Sequence, residues 1–295
     1  MLRSMFRRLP PAVLAVTLLS AAALTACAPA DETPSSSASA SASGAACTKD
    51  SLKTLTAGKL TIGTDEPVYE PWFVDNKPDN QKGFEGAVAY AVAGKLGYAA
   101  GDVVWTRVTF NNAIAPGAKP YDFDINEFSI TEDRKKAVDF SSPYYDVRQT
   151  VIALKSSKIA GAKSIADLKS AKLGAQVGTS SYTAITGVIK PSAQPSVFNN
   201  NDDAKKALQN GQIDGLVVDL PTAFYMTGAE IENSLIVGQL PATTGQVEQF
   251  GLVLDKGSAL TSCVSQAVDA LRTDGTLTKL QQTWLAQSAG APELS

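Results

Sequence analysis

From residue 58 onward the chain alternates short apolar runs with longer stretches of helical spacing, and it does so twice. In the first round "KLTIG" (59–63), "DVVWTRVTF" (102–110) and "YDFDIN" (121–126) read as strands, and "FEGAVAYAVAGKLG" (84–97) reads as a helix with a glycine stop. "NNAIAPG" (111–117) holds a turn of helix at most, because Pro116 interrupts it. The order β-α-β-α-β is that of a parallel sheet with helices on its faces. After residue 150 the pattern restarts. "KLGAQVG", "PSVFN", "DGLVVD" and "NSLIVG" are strands. They alternate with the helical segments "SIADLKS", "SYTAITGVI", "NDDAKKALQNG" and "LPTAFYMTG", with Ser164 and Asn201 as candidate N-caps. "QFGLVLDKG" (249–257) then returns as a strand, followed by helices in "ALTSCVSQAVDALRTDG" and "LTKLQQTWLAQ".

This predicts an α/β protein of two lobes around a central cleft. The chain crosses between lobes near residue 148 and again near 247, so lobe 1 comprises residues 48–148 plus 248–290 and lobe 2 residues 149–247. In open α/β sheets ligands sit beyond the carboxyl ends of strands, so polar groups at strand ends are the candidate site.

The beginning of the chain has a different character. Arg3, Arg7 and Arg8 precede an apolar run from Ala12 to Leu24, which predicts a secretory signal over residues 1–26 that is too short for a confident membrane span. Removing it takes three arginines and no acids, shifting the net charge from −3 to −6. An acidic chain has no electrostatic case for nucleic acid. Residues 27–47 include "DETPSSSASASASGAA", which lacks the bulky apolar side chains needed to offset ordering entropy and reads as a tether. Beyond Cys27, two cysteines remain, Cys47 and Cys263. Outside the cytoplasm an even pair predicts a disulfide, with two buried thiols as the alternative. The chain has no His, which excludes a Ser-His triad and His-ligated metal, and it has no CxxC and no glycine-rich phosphate loop. No cofactor is expected.

The strand end at 122–145, "DFDINEFSITEDRKKAVDFSSPYY", carries Ser129 and Thr131 as hydroxyl donors, and Thr131 is placed to cap a helix beginning "EDRKKA". A helix N-terminus favours anions, and Arg134 adds a two-pronged donor for a carboxylate, unless it pairs with Glu132 or Asp133. In the second lobe "VGTSSY" repeats the pattern: Gly178 permits close backbone approach, and Thr179 and Ser180 donate or simply cap. Asp219 ends an apolar strand and either accepts from an ammonium group or caps the next helix. Two donor clusters and one acceptor describe the charges of an α-amino acid, which leaves water only when both are paired. Tyr69, Trp72 and Phe110 are candidates for its wall, with core packing as the alternative.

At these residues the chain resembles the extracytoplasmic polar amino-acid-binding proteins of ABC importers. The resemblance rests on "GKLTIGTDEPVYEPWF", "GFEG", "FNNAIAP", "SITEDRKKAVDFSSPYY", "VGTSSY" and "DGLVVDLPTAFY" and covers about residues 51–287. It implies the type II periplasmic-binding-protein fold. It also implies that Arg134, Ser129 and Thr179 hold the ligand's α-carboxylate, that Asp219 takes the α-ammonium, and that Tyr69 and Phe110 sandwich the side chain. Leu24-Thr25-Ala26-Cys27 resembles a bacterial lipobox, which implies that Cys27 is lipidated and holds a monomeric protein at the outer face of the bacterial cell membrane. The expected partners are a free amino acid, the membrane permease of an ABC transporter and, through the anchor, the membrane itself.

The sequence departs from the family at Ala87, where an Asp is usual, and at Asn126 and Glu127, where small residues are common. Asp65 and Glu66 compete for one role in the first loop. Together with Glu70 and Glu127 they make the expected site acidic, which favours a cationic amino acid over glutamine or glutamate. Arg148 is the alternative partner for Glu127, or else a donor that would hold an acidic or amide ligand. A surface sensor, or a dehydratase or lyase using Glu127 as base, are the other functions such a cleft can serve.

Overall fold

Two five-stranded sheets carry the chain. The structure is a computed structural model that describes residues 47–242, 247–286 and 290–295, all within one compact unit. The expected signal segment, Cys27 and the tether up to residue 46 lie outside the described residues.

The first sheet is built from β1 (Leu60–Thr64), β2 (Val103–Arg107), β3 (Phe123–Asp124), β4 (Val138–Phe140) and a late strand, β12 (Val253–Asp255), in the order β2-β1-β3-β12-β4. β1 runs parallel to both β2 and β3, with Ile62 opposite Trp105 on one side and Phe123 on the other. A strand paired on both edges and covered on both faces is apolar throughout, and Leu60 and Ile62 are fully buried. Gly63 is required there, because a Cβ would lie 2.3 Å from a carboxylate oxygen of Asp124 and 2.7 Å from the Tyr121 ring. Helix α1 (Phe84–Lys95) is small and apolar nearly all round and packs between this sheet and the C-terminal helices.

The second sheet holds β6 (Gln149–Leu154), β7 (Leu173–Gln176), β8 (Ser196–Phe198), β9 (Gly215–Asp219) and β10 (Ser234–Gln239) in the order β10-β6-β9-β7-β8. β7 is parallel to β8 and β9, whereas β6 is antiparallel to β9 and β10. Its helices are α3 (Ser180–Ala184), α4 (Asn201–Gln209) and α5 (Leu220–Tyr225), after the short α2 (Phe110–Ile114) of the first lobe. α6 (Thr261–Thr273) and α7 (Thr276–Trp284) pack on the first lobe, and the last residues return to the second, where Glu293 bridges Gln239 of β10 and Leu294 is buried. In α6, Cys263 is disulfide-bonded to Cys47, with Cα atoms 5.2 Å apart.

The two crossings form a ribbon. β5 (Tyr145–Val147) pairs antiparallel with β11 (Glu248–Phe250), Glu248 opposite Val147 and Phe250 opposite Tyr145. The strand expected at 249–257 is therefore two, β11 in the ribbon and β12 in the first sheet, and β6, unassigned from sequence, follows directly from the ribbon.

Three local expectations need correction. The helix expected at "EDRKKA" is one 3-10 turn, Arg134–Lys136, because β4 begins at Val138 and leaves no length for more; Thr131 Oγ1 does cap it, accepting from the Arg134 amide at 3.2 Å. "SIADLKS" is likewise a 3-10 turn, Ile165–Leu168, closed by a Ser164/Asp167 capping box. The cap of α4 is Asn200, which is extended and accepts from the Asp203 amide, so Asn201 is the first helical residue.

Candidate ligand-binding cleft

Where the two lobes face each other they leave a narrow cleft between them. Its wall includes Asp65, Tyr69, Phe110, Asn126 and Glu127 from the first lobe and Gln176, Thr179, Ser180, Asn201, Asp219 and Thr222 from the second. Asp65, Glu127 and Asp219 are acidic, and among the described residues none that lines it is Lys or Arg.

One end of the cleft is an array of hydroxyls and amides. The Ser129 hydroxyl lies 3.0 Å from that of Ser180, across the lobes. Gln149, at the start of β6, donates to Asp219 Oδ1 at 2.7 Å and to Glu248 Oε2 at 3.0 Å, and accepts from the Ser181 hydroxyl at 2.6 Å. Ser129 also donates to Glu248 Oε1. Arg134 reaches this end from its 3-10 turn. It donates to the Ser129 carbonyl at 2.7 Å and, across the cleft, to the Gly178 carbonyl at 3.0 Å, while its guanidinium stands 5.3 Å from the Phe110 ring centre. Its burial pulls the guanidinium down to about 10, against the stabilising charges of Glu248 and Asp219. Gly178 has φ +75°, and a Cβ there would sit 2.4 Å from Asn111 Oδ1 of the first lobe, so the approach of the two lobes requires glycine.

The other end concentrates negative charge. Glu127 follows β3 with φ +53°, a left-handed conformation uncommon for a residue with a Cβ. Its amide donates to Glu85 Oε1 at 2.7 Å, and its carboxylate accepts from the Thr222 hydroxyl at 3.2 Å and is hydrogen-bonded to Asp219. Burial raises both carboxyls, and for Glu127 the nearby charge of Asp219 adds to it, for Asp219 that of Glu248. Two carboxylates in hydrogen-bond contact must hold a proton between them. Burial also raises Asp65, whose carboxylate accepts from the Glu66 and Phe110 amides at 2.7 and 3.3 Å.

The structure thus places Asp65, Tyr69, Phe110, Glu127, Thr179 and Asp219 on one cleft wall, with Ser129 and Arg134 bonding across the lobes beside it. Asp219 stands at the N-cap of α5 without capping it, which leaves its carboxylate for the cleft. Thr179 does cap: its hydroxyl accepts from the Tyr182 amide at 3.2 Å and donates to Gln176 O at 2.7 Å.

Two expected residues stand elsewhere. Glu66 turns outward to Arg107 at 3.0 Å and Asn76 at 2.6 Å, because the parallel register sets Arg107 opposite Thr64, beside the loop. Trp72 is fully buried in the first lobe's core, its ring 5.7 Å from Tyr145 and 5.6 Å from Phe250 of the ribbon. Its indole donates to Thr222 of the second lobe at 2.8 Å, so it links hinge and lobe rather than walling the cleft. Arg148 pairs with Glu293 at 2.6 Å, not with Glu127. Sequence reasoning missed Gln149, Thr222 and Glu248. Gln149 and Glu248 flank the crossings predicted near 148 and 247, and the turn of the chain there was the available signal.

A two-lobed α/β molecule with a hinge ribbon and a polar interlobe cleft is the architecture of a solute-binding protein. Residues 60–287 match the model of the bacterial extracellular solute-binding proteins, family 3, and the chain belongs to that family, with the type II periplasmic-binding fold. It is 29% identical over 221 residues to a probable histidine-binding protein of Campylobacter jejuni, covering 73% of this chain and 80% of the relative. It is 28% identical over 236 residues to ABC transporter arginine-binding protein 1 of Escherichia coli, covering 78% and 92%. An ancestral arginine-binding protein bound to glutamine superimposes with a TM-score of 0.64 at 29% identity, covering 78% of this chain and 98% of that one.

Proposed function

We propose that this chain captures a cationic α-amino acid by closure of its two lobes and delivers it to the permease of an ABC importer, as a monomer held at the outer face of the membrane by a lipid on Cys27. The observation that carries the ligand class is the acidic wall: Asp65, Glu127 and Asp219 line the cleft, and among the described residues none that lines it is Lys or Arg. Buried carboxylates that face one another are unfavourable until a cation joins them. The hydroxyl end, with Ser129, Ser180 and Arg134, supplies donors for an α-carboxylate. Asp219 supplies an acceptor for the α-ammonium. Glu127 and Asp65 remain for a positive side chain, with Tyr69 and Phe110 as its walls. The histidine- and arginine-binding relatives support this reading.

Calorimetric titration of protein stripped of bound ligand against the twenty amino acids tests it. Tight binding of arginine or lysine is the expected result. Tight binding of glutamine or glutamate with none of arginine or lysine overturns the cationic assignment. We read the site as binding without turnover, so mass spectrometry of the bound amino acid after prolonged incubation returns an unchanged mass; a dehydrated or deaminated product makes it an enzyme.

A further inference from the structure

One donor expected to receive an α-carboxylate, Ser129, already holds a carboxylate that belongs to the chain. Glu248 lies on the ribbon strand β11, not on either lobe's cleft wall. Its Oε1 accepts from the Ser129 hydroxyl of the first lobe, and its Oε2 accepts from Gln149 Nε2 at 3.0 Å, at the entrance to the second. Ser129 is almost fully buried, and its hydroxyl also touches that of Ser180 at 3.0 Å. Gln149 Nε2 lies 3.3 Å from that same Ser180 hydroxyl. Arg134 adds a positive charge beside this array, and its guanidinium is stabilised by Glu248.

We infer that Glu248 is an internal stand-in for the ligand's α-carboxylate, bridging the lobes through Ser129 and Gln149, and that it sets the affinity of the site by competing for those donors. The chemistry follows from what each group offers. Ser129 has one proton to donate, and a second carboxylate brought to it meets the first at hydrogen-bond range, where two negative charges repel. An incoming α-carboxylate therefore takes Ser129 only as Glu248 withdraws. Because Glu248 rides on the hinge ribbon, its withdrawal is coupled to movement of the lobes. A ligand that lacks the carboxylate has no quarrel with Glu248. The residue thus selects at the carboxylate end, where the acidic wall selects at the other.

The test compares wild type with Glu248→Gln and Glu248→Ala, each checked for native circular dichroism. Titrations use L-arginine, L-glutamine and agmatine, the last being arginine without its carboxylate, and small-angle scattering reads the compactness of protein stripped of ligand. Hydrogen bonds to a charged group are the contacts removed, so whichever of the two amino acids binds wild type binds the variants roughly 10- to 100-fold more tightly. Agmatine gains nothing, and the stripped variants are more expanded than wild type. Unchanged or weaker amino-acid binding in both variants overturns the inference, as does an equal gain for agmatine. The inference rests on the amino-acid reading of the cleft only through the titrations: if neither amino acid binds any form, that reading fails, and the scattering comparison alone decides whether Glu248 holds the lobes.

Discussion

Replacing Arg134 by alanine tests the carboxylate end most directly. In the structure the guanidinium spends two of its five N–H groups on carbonyls, Ser129 O at 2.7 Å and Gly178 O at 3.0 Å, one in each lobe. Removing the side chain takes away the cation proposed to pair with a desolvated ligand carboxylate, a loss of about 3–5 kcal/mol, or roughly two to four decades in Kd. The contact to Gly178 adds to the loss, because it also favours the closed arrangement. Arg134→Lys keeps the charge but not the fork, so it restores part of the affinity and not all of it. The assay is calorimetric titration with the best-binding amino acid, after circular dichroism has established that the variants fold. Folding is expected to survive, since Arg134 is half-buried at a cleft margin and is no part of either lobe's apolar core. An alanine variant that folds and binds with unchanged affinity refutes the assignment of Arg134.

A cation entering between Glu127 and Asp219 lowers carboxyls that burial and mutual repulsion have raised, so binding expels a proton and affinity increases with pH; calorimetry in buffers of different ionisation enthalpy measures it, and a buffer-independent enthalpy refutes it. Asp124 is fully buried with no hydrogen-bond partner on either oxygen, and burial raises it well above the usual carboxylate range. Its favourable protonated state is present below the unfolded pKa and is lost as pH rises, so Asp124→Asn stabilises by about 1–3 kcal/mol near neutrality and by nothing in acid, as melting temperatures against pH will reveal. The Cys47–Cys263 bond closes a sequence separation of 216, for which chain entropy gives about 5 kcal/mol as an upper figure; the Cys47→Ser/Cys263→Ser protein unfolds at lower denaturant concentration. Cys27→Ser releases the protein into the medium, and its retention in the membrane fraction refutes the lipid anchor.

The alternation of strand and helix was readable because both lobes bury their strands on two faces, which makes "LTIGT" and "GLVVD" apolar almost throughout. The site was most readable where polar groups sit at a strand end: Thr179 and Asp219 line the cleft, and Ser129 and Arg134 bond across to the second lobe beside it. What failed needed register or distance. Glu66 looked as available as Asp65 until the pairing of β1 with β2 placed Arg107 beside it. Trp72 and Tyr69 are both aromatics of one loop, and only the three-dimensional path sends one into the core and the other into the cleft. Asn200 and Asn201 are equal as caps by composition, and the extended backbone at Asn200 decides between them. Glu248 is 119 residues from Ser129 in sequence, and nothing in "QVEQF" announces a partner there.

Closure and selectivity share the same groups on this reading. The lobes meet through Arg134 to Gly178, through Ser129 to Ser180, and through the Trp72 indole to Thr222 at 2.8 Å. Thr222 in turn donates to Glu127, so the core tryptophan that packs against the hinge ribbon is two hydrogen bonds from the acidic wall. Bringing the lobes together brings Asp219 of the second against Glu127 of the first, which is unfavourable unless a proton or a cation lies between them. A ligand shifts a conformational equilibrium only by its difference in affinity between the two states. The α-ammonium of any amino acid answers Asp219, but only a cationic side chain also answers Glu127 and Asp65, so a ligand with a neutral side chain relieves less of the repulsion that closing creates. If the ligand is cationic, as proposed, the acidic wall discriminates through the cost of closing, and a ligand with a neutral side chain holds the cleft shut less well.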